Sequence, residues 1–257
     1  MAYTPFDLTG KVALVTGGNS GIGLGFAQAM ADAGADIAIW GTNAAKNEAA
    51  RARLQKSGRR VETFVCDVGD ESAVDDSFAR TVAAMGRVDG CFANAGVSGR
   101  GGRSFSEMSA EEWRRVMRVN LDGAFFTFRA ACRHMVERGG GGSLVGTASL
   151  AAIHGAARSE HYGATKGAMI SMVRGLAVEY ARHGIRANSV LPGWIETDMT
   201  ANAIGNEKFS ANVLPRIPVR RWGRPEDFGG IAVYLMSGAS AYHTGDSFLI
   251  DGGYSLF

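Results

Sequence analysis

Cysteine and proline are scarce in this chain of 257 residues, with three of the first and five of the second. The three cysteines, Cys66, Cys91 and Cys132, are odd in number, widely spaced and set in apolar runs. They have no metal-ligand spacing and read as reduced core residues of a reducing compartment. No His/Asp/Glu cluster has such spacing either, so no metal is expected. Charge of one sign is also lacking. The 27 Lys and Arg against 25 Asp and Glu leave a formal net charge of +2, without the excess a nucleic-acid or acidic-membrane partner calls for. No apolar run reaches the ~18 residues of a membrane span. The opening MAYTPFDLTGKVALV lacks the charged and apolar regions of a signal peptide. The expectation is a soluble, cytoplasmic protein. What is plentiful is glycine, 36 residues, much of it where apolar runs give way to helical patterns. Tight turns or close backbone approach need it there.

The run VALVT, Val12–Thr16, ends in GGNSGIG, and a helical pattern follows to about residue 33. This is a strand, a glycine turn and a helix. Gly17, Gly21 and Gly23 would let the backbone approach a pyrophosphate, and the helix N-terminus offers free N–H groups and a positive dipole end. Further strands are expected at 36–40, 60–66, 88–93, 143–146, 187–191 and 247–250. Helices are expected at 43–55, 71–85, 110–137, 162–182 and 225–236, with Ser109 placed to cap the third. Residues 97–108 and 194–224 carry no core pattern and read as irregular. Strands alternating with helices mean βαβ units. The fold class is α/β: one doubly wound Rossmann domain over residues 1–257, its seven-stranded sheet mostly parallel, with helices on both faces.

Ligands of such a sheet gather beyond the carboxyl ends of its strands. The glycine turn, Asp67, residues 94–96, Ser149 and the Pro192-Gly193 pair all fall just past strand ends. Tyr162 comes thirteen residues after Ser149, and Lys166 four after that, which places phenol and ammonium on one helix face. An ammonium beside a phenol favours the phenolate, so Tyr162 is expected to titrate below its ordinary pKa of about 10. Ser149 is placed to hold the reacting oxygen.

The motifs TGGNSGIG (16–23), NAG (94–96), Ser149, YGATK (162–166), PG followed by Thr197, and the closing DGG together resemble the classical short-chain dehydrogenase/reductase family over essentially the full chain. The resemblance implies an NAD(P)-dependent oxidoreductase interconverting a secondary alcohol and a ketone. It assigns catalysis to Asn120, Ser149, Tyr162 and Lys166. Tyr162 would move the proton and Ser149 would polarise the substrate oxygen. Lys166 would bind the nicotinamide ribose and lower the Tyr162 pKa, and Asn120 would hold a relay water. Gly17, Asn19, Ser20, Gly21, Ile22 and Gly23 would form the pyrophosphate turn, and Asp67 and Val68 would frame the adenine. Asn94, with Gly96, would lie near the adenine-side ribose or support the central strands. Pro192, Ile195 and Thr197 would reach the nicotinamide.

In this family an acidic residue ending the second strand binds the ribose hydroxyls of NAD. That place falls at Gly41, while Asp36 stands at the strand's other end. Neither Ser20 nor Thr42 is an arginine, but Asn19, Thr42 and Asn43 can hydrogen-bond a phosphate. The expectation is NADP(H) over NAD(H). Substrate would lie against Ser149, Ala151, His154, Tyr162, Trp194 and residues 199–213. Sugar or polyol dehydrogenases and 3-oxoacyl thioester reductases are the nearest types. Arg100, Arg103 and Arg216 only suggest the basic surface an acyl carrier would want. His161 reads as a pocket or interface residue. By resemblance the partner is a second copy of the chain, in a dimer or tetramer pairing the helices near 110–137 and 162–182. The alternative is a nucleotide-binding sensor or scaffold of the same fold that has lost its chemistry.

Overall fold

Alternation along the strands decides the layering. In the computed structural model, which describes residues 4–100 and 104–256, β1 (Val12–Thr16) sends Val12 and Leu14 into one apolar cluster and Ala13 and Val15 into another. In β2 (Asp36–Gly41), Ala38 and Trp40 join the first cluster, Ile37 and Ile39 the second. This is the period-two signature of a strand buried on both faces. With β3 (Val61–Val65), β4 (Gly90–Ala93), β5 (Gly142–Thr147), β6 (Ile185–Pro192) and β7 (Ser247–Ile250), these strands form one seven-stranded sheet ordered β3-β2-β1-β4-β5-β6-β7. All its pairings are parallel, so the sheet is fully rather than mostly parallel.

Helices cover both faces. On one side α1 (Gly21–Asp32) and α2 (Ala44–Leu54) lie with a later helix, Gly229–Met236. On the other lie α3 (Glu71–Met85) and two longer segments described next. The expected continuous helix over 110–137 is interrupted: α4 (Ala110–Met117), a π-turn over Arg118–Asp122, then α5 (Gly123–Arg138). Ser109 does cap α4, accepting from Glu112 N at 3.2 Å. The interruption has an identifiable cause. Buried Asn120 accepts from Val97 N at 2.8 Å and donates to Val97 O at 3.0 Å, so its amide binds a neighbouring loop as a strand would.

The next helix, α6 (Glu160–Tyr180), completes this layer. Residues 194–224 are less irregular than their sequence suggests, holding α7 (Ala201–Ile204), α8 (Glu207–Val213) and a 3₁₀ turn, Leu214–Arg216. Asn206 caps α8 through Phe209 N, and Phe209 packs edge-on to Trp194 at 4.9 Å and stacks with Trp222 at 6.4 Å. The expected helix over 225–236 begins as a 3₁₀ turn, Pro225–Phe228, and continues as α9 (Gly229–Met236). Among the described residues no helix is long and apolar enough to cross a membrane. The three cysteines are free and buried.

The chain runs outward from β1 through β2 to β3, then returns to β4 beside β1. The crossovers diverge there, which opens a crevice at the carboxyl ends of β1 and β4.

Candidate active site

A cavity of about 580 Å³ lies in that crevice, within the range of small-molecule and cofactor sites. Its floor is the glycine turn. Gly17 and Gly21 have φ of +63° and +52°, the left-handed region that favours glycine. A Cβ on Gly23 would strike the Asn94 amide and Gly17 O, so Gly23 shapes the turn from beneath and does not line the cavity. Ser20, at the N-cap of α1, makes no side-chain capping bond among the described residues, and the first turn carries no acid. The N–H groups of that turn and the Ser20 hydroxyl are left for an anion. Asn19 and Ile22 share the lining.

Asn94 binds the strand ends together. Its Nδ2 donates to Thr16 O at 3.1 Å, its Oδ1 accepts from Thr147 Oγ1 at 3.2 Å, and its backbone N donates to Thr16 Oγ1. The side chain is engaged by β1 and β5, which fits the supporting role better than contact with a ribose.

At one end of the cavity, Asp67 accepts from Gly69 N at 3.0 Å and pairs with Arg118 at 2.9 Å. Val68 packs on Gly123, where a Cβ would come within 2.7 Å of its side chain. At the end of β2, the space a side chain on Gly41 would need is filled. Its Cβ would lie 2.5 Å from Asn47 Oδ1 and closer still to the Asn19 amide. Asn19 Nδ2 donates to Asn47 Oδ1 at 2.7 Å, and buried Asn47 donates to Gly41 O at 2.9 Å. The missing carboxylate is thus built out by packing. Thr42 and Lys46 line the cavity beyond it.

At the other end, buried Lys166 donates to Thr147 O at 2.7 Å, and its Nζ stands 5.4 Å from the centroid of the Tyr162 ring. That leaves two of its three N–H donors for a ligand. Burial pulls the ammonium down to about 8. Tyr162 departs from the sequence expectation. Its pKa is raised, because desolvation outweighs the lowering influence of the Ser149 hydroxyl beside it. The ammonium is turned to the Thr147 carbonyl and the ring face rather than to the phenol oxygen. Ser149 Oγ accepts from Ala151 N at 3.2 Å, and its hydroxyl faces the Tyr162 oxygen. A Cβ on Gly96 would sit 3.3 Å from Asn120 Oδ1 and 3.6 Å from Lys166 Nζ, so these two groups flank that glycine. Pro192, Ile195 and Thr197 close the cavity roof.

Besides Gly23, four expected positions stand apart from this lining. Asn120 lies behind it, with Nδ2 also 3.3 Å from Thr165 Oγ1. Ala151 serves the turn after β5, and His154 is exposed beyond it. Trp194 faces Phe209 because the aromatic packing of its own segment takes the ring. His161 is buried against Glu112, with Nε2 at 3.4 Å. Bonds from Arg115 are the main reason the Glu112 pKa falls to about 2. Of the basic residues, Arg216 stacks over Tyr254 at 4.7 Å, Arg100 is exposed, and Arg103 lies outside the described residues. Lys46 and Asp198 line the cavity although their sequence gave no sign of it.

A family model described as enoyl-(acyl carrier protein) reductase matches residues 17–255. The gluconate 5-dehydrogenase of Gluconobacter oxydans (strain 621H) is 36% identical over 251 residues, 98% of this chain and 97% of that one. The chain belongs to the short-chain dehydrogenase/reductase family. As such it is an oxidoreductase that uses a nicotinamide cofactor and interconverts a secondary alcohol and a ketone. The 3-oxoacyl-(acyl-carrier-protein) reductase of Chlamydia pneumoniae is 35% identical over 246 residues, covering 96% of this chain and 97% of the relative. Among solved structures, a gluconate 5-dehydrogenase from Burkholderia cenocepacia J2315 in complex with NADP and tartrate superimposes with a TM-score of 0.93. Its identity is 33%, with 99% of this chain and 98% of that one covered.

Proposed function

We propose that alcohol–ketone interconversion takes place at the Ser149–Tyr162–Lys166 end of the cavity, with NADP(H) along the rest of it. The observation that carries this reading is Lys166, a buried ammonium with two donors unspent, set between the Thr147 carbonyl and the Tyr162 ring. The glycine cradle and the uncapped α1 N-terminus suit a pyrophosphate. The bound cofactor supplies or takes the hydride. Ser149 donates its O–H to the substrate oxygen. Tyr162, with its pKa raised, keeps its proton at neutral pH and gives it to the developing alkoxide in reduction, or takes it back in oxidation. Lys166 holds the ribose hydroxyls and, at about 8, titrates close enough to neutrality to resupply that proton. Asn120, with its amide engaged by Val97, flanks Gly96 together with Lys166, and a role in a water relay would fall to its backbone.

Filling of the Gly41 site by Asn19 and Asn47, in place of a carboxylate, supports NADP(H) over NAD(H). For substrate, the relatives point first to sugar acids such as gluconate, then to 3-oxoacyl thioesters. Three free buried thiols accord with the cytoplasm. Exposed Phe125 and Val136 on α5 and Val178 on α6 support a dimer or tetramer through those helices. Light scattering that returns a 27.1 kDa monomer would sink that part. The decisive experiment is calorimetry with NADPH and NADH, followed by turnover on sugar acids, ketones and 3-oxoacyl thioesters. Tighter NADPH binding and ketone reduction are expected. Binding without turnover on any panel member would favour the silent scaffold.

A further inference from the structure

Across the mouth of the cavity, Lys46 Nζ meets Asp198 Oδ2 at 2.6 Å. Lys46 stands in the first turn of α2, its backbone N donating to the N-cap Asn43 at 2.9 Å. Asp198 follows Thr197, whose Cγ2 would lie 3.1 Å from a Cβ on Gly21, so its segment is seated on the glycine turn. Thr200 knots that segment, its Oγ1 accepting from Thr197 N and donating to Ile195 O. The pair therefore straps the start of the 194–224 segment to α2. Both side chains are open to water, 52% and 74% exposed. Such a pair is screened and readily exchanged.

Beside it lie Asn19, filling the space over Gly41, with Thr42 and Asn43, where the 2′ position of an adenosine ribose comes in this kind of fold. We infer that Lys46 reads the 2′-phosphate of NADP(H) by exchanging Asp198 for it. A carboxylate offers one negative charge. A phosphate monoester offers up to two, on three acceptor oxygens. The exchange thus favours NADP(H) and is closed to NAD(H), which lacks the phosphate. Asp198 becomes an internal competitor that lowers NADP(H) affinity. Its release unfastens the segment leading into α7 and α8, so only the phosphorylated cofactor loosens the strap.

This rests on the cofactor reading above, and the test separates the two. Calorimetry would compare NADPH, NADH, 2′,5′-ADP and 5′-AMP on wild type, Lys46→Met and Asp198→Asn. Lys46→Met should weaken NADPH and 2′,5′-ADP by about 10–100-fold, the range for a hydrogen bond to a charged group. NADH and 5′-AMP should stay within about twofold, which also reports that the variant folds. Asp198→Asn should tighten NADPH and 2′,5′-ADP by about 2–5-fold, since the competitor removed is an exposed ion pair. The salt dependence of 2′,5′-ADP binding should be shallower in Lys46→Met than in wild type. A wild type that prefers NADPH, with the preference intact in Lys46→Met, overturns this inference alone. So does Asp198→Asn leaving NADPH affinity unchanged or weaker. A wild type that binds neither dinucleotide overturns the cofactor reading and this inference with it.

Discussion

At the amino-terminal edge of the sheet, Asp89 accepts from Val12 N at 2.9 Å and pairs with Arg87 and Arg138. Arg60 there spans Asp36 and the carbonyls of Ala84 and Met85, and Arg186 donates to Leu235 O. At the carboxyl edge of the same strands, Ser20 leaves α1 uncapped and Lys166 uses one donor of three. One edge directs its polar groups into the fold, and the other holds some back for a ligand. A helix comparison makes the same point. Asp70 caps α3 through Ser72 N and Ala73 N, whereas α1, facing the cavity, has no such cap. Unspent donors point to a ligand at the carboxyl edge because they gather around one cavity. Among the described residues, Arg138 Nε and Arg186 Nη1 also lack partners at the amino-terminal edge but stand apart from it.

The sharpest way to break the contrast is Tyr162→Phe. Turnover should fall by about 10²–10⁴-fold, the range for a positioned general acid, while NADPH binding and the unfolding midpoint stay near wild type. Steady-state kinetics with calorimetry checks both halves. Lys166 tests the cost of the unspent donors. Its pKa in the fold, about 8, lies below the ordinary 10.5. Below about pH 8 it is charged in folded and unfolded chains alike, so its burial cost is constant. Between about 8 and 10.5 the folded chain gives up this proton first, so the Lys166 contribution to stability should rise with pH by about 2–3 kcal/mol, while the three buried thiols, whose pKa values burial raises, pull total stability down over the same interval. Urea unfolding of wild type and Lys166→Met at pH 7.5 and 10 isolates this contribution as the change in their stability difference. In wild type, reductive kcat/KM should decline as pH passes 8.

The amino-terminal edge should answer in the opposite currency to Tyr162. Asp89→Ala strands Val12 N and Arg138, so it should lower unfolding free energy by about 2 kcal/mol and leave NADPH affinity unchanged. Thr81→Val is the smallest change and belongs to neither edge. It removes the acceptor for the buried Trp40 indole N–H, bonded at 2.9 Å, and should cost about 1 kcal/mol by denaturant titration.

Most of the fold could be read from the sequence because it rests on local pattern. Val12–Thr16, Glu71–Met85 and Ser247–Ile250 follow apolar runs or helical spacing and end where expected. The convergence of the motif positions on one sheet edge was legible too, since topology alone brings strand ends together. Other features depend on partners far along the chain. Asn120, a polar residue able to kink its helix, interrupts it by binding Val97, and nothing within 110–137 identifies that partner. Trp194 was expected at the substrate but packs on Phe209, a choice made by the order within 194–224. Nothing near Lys46 in the sequence marks Asp198, 152 residues further on, as its partner. The Tyr162 shift was misjudged because i, i+4 spacing says which face two groups share, not where an ammonium turns once Thr147 O offers itself.

The π-turn at Arg118–Asp122 has a consequence in the arithmetic of chain length. A π-turn is one residue longer than the α-turn it replaces, and one residue corresponds to about 100° of helical rotation. Deleting Val119 would let 110–138 close into a continuous α-helix, the lost residue and the closed turn cancelling so that α4 and α5 keep the faces they present. Only the residues of the turn would be re-aimed, and Asn120 would leave Val97. An ordinary deletion scan across α4 and α5 would therefore be most informative at the position where the resulting helix is most regular.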